Sequence, residues 1–171
     1  ELIRLAVDSK NISFGLELAK IVKSFGFSVG LNCMYINTVL RDAAFLNFLQ
    51  DIQKHIDYLF LVDSYGAVFP QDLSSLISNI RRISSVSLGF HGHNNVELAF
   101  ANALEAMASG IHFLDSTILG MGRGAGNLKT ELLLTYLRKE KKVEFDLDIL
   151  LNLVEKFELL RSEFQWGSNL A

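Results

Sequence analysis

Residues 86–95 read VSLGFHGHNN, an apolar run that ends in two histidines and two asparagines. Short apolar or β-branched runs of this kind recur along the chain, and their starts lie about 25 to 31 residues apart. Such spacing is typical of one parallel strand followed by its crossover helix. The sequence therefore predicts five strands, at Leu2–Val7, Phe27–Met34, Tyr58–Val62, Val86–Phe90 and Ile111–Leu114.

The segments between these strands have the apolar periodicity of amphipathic helices. In residues 73–80, for example, apolar side chains recur at i, i+3, i+4 and i+7, which places them on one helix face. Gly26 and Gly110 stand where two helices should end, as left-handed caps. The alternation indicates an α/β protein with a parallel sheet. The predicted helices are 14–25, 45–56, 73–83, 96–107 and one that begins near residue 128.

Chain length leaves two architectures open. A complete (β/α)8 barrel needs about 250 residues, whereas this chain has 171. The five strand–helix units can form a small open sheet, or they can be the back part of a barrel whose first three strands lie outside this chain. Residues 145–171 predict a further amphipathic helix and an aromatic tail.

Composition excludes several classes of protein. The chain has 16 Lys and Arg against 19 Asp and Glu, a net charge of −3, which argues against a nucleic-acid-binding protein. Half of the residues are apolar, which excludes a disordered chain, yet no run approaches the roughly 18 apolar residues of a membrane span. The single cysteine, Cys33, has no disulfide partner within the chain, so we expect a reducing, cytoplasmic location.

Polar residues gather where the predicted strands end. Asp8-Ser9, Asp63-Ser64 and Asp115-Ser116 each follow an apolar run directly. In α/β folds the carboxyl ends of parallel strands form the edge at which active sites are built. Each Asp-Ser pair also suits a helix cap or an Asx turn, but three pairs and a histidine pair at one edge favour a site.

His91 and His93 are the strongest metal-binding candidates. Residues i and i+2 of a strand point to one face, so both imidazoles can bind one divalent ion, which then polarises a carbonyl oxygen. The plainer alternative is two unrelated polar residues at a strand end. His55 and His112 are expected to be structural.

A glycine-rich loop, GMGRGAGN at residues 120–127, follows the last predicted strand. It lacks the Gly-Lys-Ser/Thr of a phosphate-binding P-loop, and a dinucleotide-binding loop would follow the first strand instead. Gly122, Gly124 and Gly126 are candidates for a substrate-contacting loop, since glycines allow close approach to a ligand. An anion site at the following helix and a simple turn remain alternatives.

Three segments together resemble one family. GFHGHNN, LAFANALEAMASG and FLDSTILGMGRGAGN, with Glu131 beyond them, resemble the last third of the DRE-TIM metallolyases, the HMG-CoA lyase-like superfamily. The similarity is greatest to 4-hydroxy-2-oxovalerate aldolases and aldolase-like proteins. VDSYGAVFP resembles the family's sixth strand and its loop, and FQWGSNLA resembles the start of the aldolases' post-barrel segment. The resemblance implies a partial (β/α)8 TIM barrel, strands four to eight, over residues 1–142, and a C-terminal helical extension over 143–171.

The resemblance also implies a site. His91 and His93 match the family's metal-binding histidines, and Asn127 matches a metal-ligating asparagine of the lyase branch. Ser64 lies where the aldolases have a serine near the substrate carbonyl, and Asp63 precedes it, so both are candidate catalytic residues. The expected cofactor is a divalent metal, Mn²⁺ first, with Mg²⁺, Co²⁺ or Zn²⁺ as alternatives.

The activity implied is that of a metal-dependent aldolase, which cleaves or forms a C–C bond of a 4-hydroxy-2-oxo acid through a pyruvate enolate. Its substrate would be a small 2-keto acid, and a homo-oligomer and a dehydrogenase partner are expected. One alternative is an acyl-CoA Claisen enzyme or lyase of the same superfamily, similar to isopropylmalate synthase or HMG-CoA lyase. Another is a non-catalytic barrel module.

Two departures from the family pattern matter. Its Asp-Arg-Glu signature, which supplies a further metal ligand and an arginine, does not occur in this chain, where the nearest match is Arg41-Asp42 in reversed order. Met121 and Arg123 stand in the loop where the lyase branch has a cysteine, which disfavours an acyl-CoA lyase. Alone, the chain is therefore expected to be inactive and to self-associate through its unpaired sheet edges.

Overall fold

Five parallel strands form one sheet in the order β1-β2-β3-β4-β5, so every strand pairs with its neighbour in the chain. The computed structural model describes residues 1–40 and 42–167. Because consecutive parallel strands are joined by helices, the arrangement is that of a partial (β/α)8 barrel, and this prediction is confirmed. The strands are β1 Leu2–Asp8, β2 Ser28–Met34, β3 Tyr58–Asp63, β4 Ser87–Gly92 and β5 Phe113–Asp115.

The helices lie where the periodicity predicts them, but α4 begins later. Helix α4 begins after the predicted residue 96, because Glu97 has a φ of +58° and interrupts the helix. Helix α5 begins at Thr130, near the predicted residue 128. The helices are α1 Ile12–Ser24, α2 Ala43–Ile52, α3 Pro70–Arg81, α4 Ala99–Ala108, α5 Thr130–Lys141 and α6 Leu147–Phe164.

Gly26 and Gly110 end α1 and α4 as predicted. Their φ angles are +81° and +83°, in the left-handed region where side chains cost energy. His55 and His112 lie in connections away from the strands' carboxyl ends, and the His112 ring is 3.3 Å from the Arg81 guanidinium. Arg41 lies outside the described residues.

The two faces of the sheet differ in what they pack against. Leu59, Leu61 and Leu88 point to the helices and are fully buried, and this apolar layer forms the main core. On the opposite, concave face, Phe60 packs against the guanidinium of Arg4 on β1. Polar and aromatic side chains therefore line the barrel interior, and they continue to the strands' carboxyl ends.

The C-terminal part carries helix α6 and a short tail. Of the α6 residues, all of which are described, Leu150 is the buried one, while Leu159 and Phe164 are 74% and 67% exposed. The tail returns to the glycine-rich loop, where the Trp166 indole N–H donates to the Leu119 carbonyl at 3.0 Å. Residues 168–171, the end of the predicted tail, lie outside the described residues.

The division of the chain into a barrel part, residues 1–142, and a C-terminal helical extension, residues 143–171, remains a prediction.

No helix among the described residues is long and apolar enough to cross a membrane.

Cys33 is expected to resist thiol reagents in the folded protein. It lies in β2 with no exposed surface, and burial, with a smaller effect from the Asp8 charge, raises the pKa of its thiol to about 12. Since the thiolate is the reactive form, 5,5′-dithiobis(2-nitrobenzoate) at pH 8 should label Cys33 at least about 100-fold more slowly than in the protein unfolded in guanidinium, where the pKa returns to about 8.5. Equal labelling rates in both states would contradict this burial.

Candidate active site

His91 and His93 meet at the carboxyl end of β4. His91 is in the strand, and His93 follows Gly92 in the short segment that leads to α4. Their ring centroids are 5.1 Å apart, with an angle of 64° between the ring planes. The i, i+2 spacing therefore brings the two imidazoles together, as predicted.

Asp115 at the end of β5 fixes the orientation of His91. The two residues are partners in the parallel register, and Asp115 Oδ2 is 3.0 Å from His91 Nδ1. Burial raises the pKa of Asp115, but the hydrogen bonds and positive charges of His91 and Arg4 outweigh it and hold this pKa at about 2. Because a carboxylate can only accept here, Nδ1 of His91 carries the proton, and the lone pair of a neutral ring is then on Nε2.

His93 is held in its neutral form. Burial, followed by the nearby charges of His91 and Arg123, lowers its pKa to about 4. A neutral imidazole has a lone pair to donate, which a metal ligand requires. The backbone of His93 forms an isolated antiparallel bridge with Asn127, so the third predicted ligand is its immediate neighbour.

Asn127 carries an unpaired buried oxygen. Its Nδ2 donates to the Met121 carbonyl at 3.0 Å, but no donor among residues 1–40 and 42–167 reaches its buried Oδ1. An unsatisfied buried acceptor costs about 1–3 kcal/mol, so we expect a hydrogen-bond donor or a cation to pair with this oxygen. Gly122 makes room for this amide, because a Cβ there would lie 2.5 Å from Asn127 Nδ2.

These donors fit a divalent metal ion. Two imidazole nitrogens and an amide oxygen suit Mn²⁺, Fe²⁺, Co²⁺ or Zn²⁺. Within the described part of the chain, no group of three or more His, Cys, Asp or Glu side chains could hold a metal. The predicted third donor, the amide oxygen of Asn127, belongs to none of these four residue types, and its role as a ligand remains a prediction.

Ser64 lies beside this site and is almost fully buried. Its Oγ accepts from the Tyr35 backbone N–H at 2.9 Å, which leaves the hydroxyl proton free to be donated. Its carbonyl accepts from Arg123 Nη2 at 3.1 Å, so the glycine-rich loop is joined to the end of β3. Ser64 thus has a hydroxyl hydrogen available at the carboxyl end of β3, and its catalytic role remains a prediction.

Asp63 points away from the histidines into its own loop. Its oxygens accept from the Ala67 and Val68 N–H groups at 3.2 and 3.0 Å, and it is fully buried. Burial raises its pKa, although the bonds from Val68, Ala67 and Gly66 act in the opposite direction. Asp63 therefore stabilises a turn, as the Asx-turn alternative predicts. Through these bonds Asp63 holds the loop that carries Ser64.

The three loop glycines are required by geometry. Gly124 and Gly126 have φ angles of +59° and +85°, where other residues are strained. The Gly126 carbonyl accepts from the Asn94 N–H at 2.8 Å, which ties the loop to the segment after His93. Whether Gly122, Gly124 and Gly126 also contact substrate remains a prediction.

One site residue was missed in the sequence, and another was named there without a role. Arg4 reaches Asp115 from the first strand with two hydrogen bonds of 2.9 and 2.6 Å, and an arginine inside an otherwise apolar strand was the available signal. Glu131 accepts from the Leu119 N–H at 3.0 Å and so holds the start of the glycine-rich loop; nothing in its spacing indicated this.

Comparisons with known proteins find similar sequences over most of this chain. The pattern of the HMGL-like family matches residues 10–156. An oxaloacetate decarboxylase of Mycobacterium tuberculosis is 33% identical over 170 residues, which cover 98% of this chain and 50% of that protein. A 4-hydroxy-2-oxovalerate aldolase of Pelotomaculum thermopropionicum is 41% identical over 83 residues, which cover 48% of this chain and 24% of that protein.

Solved structures show the same fold. The N-terminal domain of a candidate aldolase from Bacteroides vulgatus is 43% identical, with a TM-score of 0.94 over 98% of this chain and 56% of that one. An HMG-CoA lyase from Acinetobacter baumannii, solved with coenzyme A and 3-methylmalate, has a TM-score of 0.75 over 99% of this chain and 67% of that one. At 18% identity, this second likeness concerns the fold alone.

The fold and the strand ends define a partial (β/α)8 barrel with a cluster of nitrogen and oxygen donors at the carboxyl ends of its strands. The chain belongs to the HMGL-like family. It spans half the length of the M. tuberculosis relative and a quarter of the P. thermopropionicum relative.

Proposed function

We propose that the natural protein is a divalent-metal-dependent aldolase that cleaves or forms the C3–C4 bond of a 4-hydroxy-2-oxo acid. One observation carries the proposal: Asn127, whose buried Oδ1 has no hydrogen-bond partner among the described residues, forms a backbone bridge with His93, and the His93 ring lies 5.1 Å from that of His91 at the carboxyl end of β4. His91, His93 and Asn127 would hold the metal, with Mn²⁺ as the leading candidate. When bound, the cation polarises the 2-oxo group and stabilises the negative charge that develops when the bond breaks.

The remaining chemistry falls to side chains of this barrel. Ser64 would donate its hydroxyl hydrogen to a substrate oxygen, since its Oγ already accepts from Tyr35. The glycine-rich loop would exclude water from the substrate. We place the base that takes the 4-hydroxyl proton, and the remaining metal ligand, on the strands that this chain does not include. A homo-oligomer and a dehydrogenase partner are further parts of the proposal.

A second candidate is decarboxylation of a 2-oxo dicarboxylate. It is favoured by the relative that covers 98% of this chain, which is named an oxaloacetate decarboxylase. The two reactions break the same C3–C4 bond and leave the same electron pair on C3; they differ in whether an aldehyde or carbon dioxide departs. Arg123, which lies near His93 and bonds the Ser64 carbonyl, is the cation available for a second carboxylate.

The test is hydrogen exchange at the methyl group of pyruvate, followed by NMR in D₂O. We would use the full-length natural protein with Mn²⁺, and then with a chelator. Exchange that requires metal would support a site that forms carbanions from 2-keto acids, which both candidates need. Absence of exchange in protein shown to bind Mn²⁺ would overturn the proposal. Release of pyruvate from 4-hydroxy-2-oxopentanoate rather than from oxaloacetate would then select the aldolase.

A further inference from the structure

Arg4 spans the concave face of the sheet. It lies in β1, at one edge, yet its guanidinium reaches Asp115 in β5, at the other edge. Nη1 donates to Asp115 Oδ1 at 2.9 Å and Nη2 donates to Oδ2 at 2.6 Å. The same Oδ2 accepts from His91 Nδ1 at 3.0 Å. One carboxylate oxygen thus joins an arginine from the first strand to the first histidine of the site.

The path of the Arg4 side chain is fixed by packing. Its guanidinium carbon lies 3.6 Å from the centroid of the Phe60 ring, and its Nε donates to Asn32 Oδ1 at 3.0 Å. Gly30 leaves room for it, because a Cβ there would lie 3.0 Å from Arg4 Cγ. Gly89 does the same for Phe60, since a Cβ there would overlap its ring. This set, Arg4, Phe60, Gly30 and Gly89, is the arginine shelf.

We propose that Arg4 is a positioning residue for metal binding: it locks the Asp115 carboxylate in the plane that keeps the proton of His91 on Nδ1 and the lone pair on Nε2. The inference rests on the proposed function, because it assigns His91 as a metal ligand.

Geometry explains why an arginine is needed. A carboxylate held by one hydrogen bond can rotate about its terminal torsion, whereas a bidentate guanidinium fixes both oxygens in one plane. Without Arg4, the carboxylate is free to turn from His91, and the ring can then place its proton on either nitrogen. Lysine would keep the charge but lose the planar two-point contact. The expected cost is that of losing an outer partner of a metal-bound histidine, about 10–100-fold in metal affinity.

The experiment compares Arg4→Met and Arg4→Lys with wild type in the full-length natural protein. Mn²⁺ binding is measured by electron paramagnetic resonance, with thermal unfolding recorded for every variant. Arg81→Met is the matched control, because Arg81 also makes several hydrogen bonds, to the Val86 and Gly110 carbonyls, but at the opposite end of the sheet. We expect Arg4→Met to weaken Mn²⁺ binding about 10–100-fold, Arg4→Lys to recover only part of it, and Arg81→Met to leave it unchanged.

A second readout separates positioning from structural support. The ¹⁵N chemical shifts of His91, recorded without metal, report which ring nitrogen carries the proton. Wild type should show the Nδ1–H tautomer alone, and Arg4→Lys should show a mixture while remaining folded. Unchanged tautomer and unchanged Mn²⁺ affinity in a folded Arg4 variant would overturn the inference. Wild-type protein that binds no Mn²⁺ would instead refute the proposed function, and the tautomer measurement would still decide the role of Arg4.

Discussion

His93→Ala is expected to abolish tight Mn²⁺ binding and, with it, metal-dependent exchange of the pyruvate methyl protons. His93 would be a direct ligand, held neutral because its pKa is about 4. We therefore expect the Mn²⁺ affinity of His93→Ala to fall further than that of the Arg4 variants, for which a loss of about 10–100-fold is expected. Titration of Mn²⁺ by electron paramagnetic resonance in the full-length natural protein measures this.

The protein should remain folded in this variant, because the contacts that order the segment are made by the backbone. The His93 N–H donates to the Asp63 carbonyl at 3.4 Å, and alanine keeps that group. His55→Ala is the control, because His55 lies in the turn after α2, away from the carboxyl ends of the strands. Equal Mn²⁺ affinities of the His93→Ala and His55→Ala variants would contradict the assignment of His93.

Gly126→Ala is expected to disrupt the glycine-rich loop. Its φ of +85° strains any other residue, at a cost of about 1–2 kcal/mol, and the added Cβ would also overlap the Gly120 carbonyl oxygen. Because that backbone cannot move without displacing Asn127, whose N–H donates to the same oxygen, we expect both the stability and the Mn²⁺ affinity to fall. Denaturant unfolding and metal titration measure the two effects.

Gly26→Ala provides a matched control for backbone strain. Its φ is +81°, but nothing lies within 4 Å of an added Cβ. It should therefore lose only the about 1–2 kcal/mol of the left-handed conformation, with Mn²⁺ affinity unchanged. If the two variants lost equal stability and neither affected Mn²⁺ binding, the close contact at Gly126 would have no role in the site.

The fold could be predicted because its signals are local. Apolar runs, helical periodicity and the caps at Gly26 and Gly110 each depend on a few neighbouring residues, and all of them agree. The predicted start of α4 at residue 96 was wrong because Glu97 has a φ of +58° and the Val96 N–H bonds the distant Gly66 carbonyl, neither of which periodicity reveals. Strand register, which makes His91 the neighbour of Asp115, is likewise not encoded in any single segment.

The candidate site was predictable only where spacing sets geometry. The i, i+2 relation of His91 and His93 was sufficient to bring the rings together. The three Asp-Ser pairs look alike in sequence, yet Asp8 bonds the N–H of Lys10, Asp63 bonds its own loop, and Asp115 joins the histidine. The pairs differ in which distant side chain contacts them. Asp115, for example, is bonded by Arg4, which lies 111 residues away in the sequence.

The arginine shelf limits the order in which this barrel can accept mutations. A side chain at position 89 would overlap the ring of Phe60, and one at position 30 would press on both Phe60 and Arg4. Gly89 cannot accept a side chain unless position 60 first holds a smaller residue, whereas at position 30 the nearer contact is Arg4, so a change there depends on positions 4 and 60 together. Positions 4, 30, 60 and 89 are therefore epistatic, and evolution or directed selection toward a larger residue at position 89 would have to pass through position 60 first.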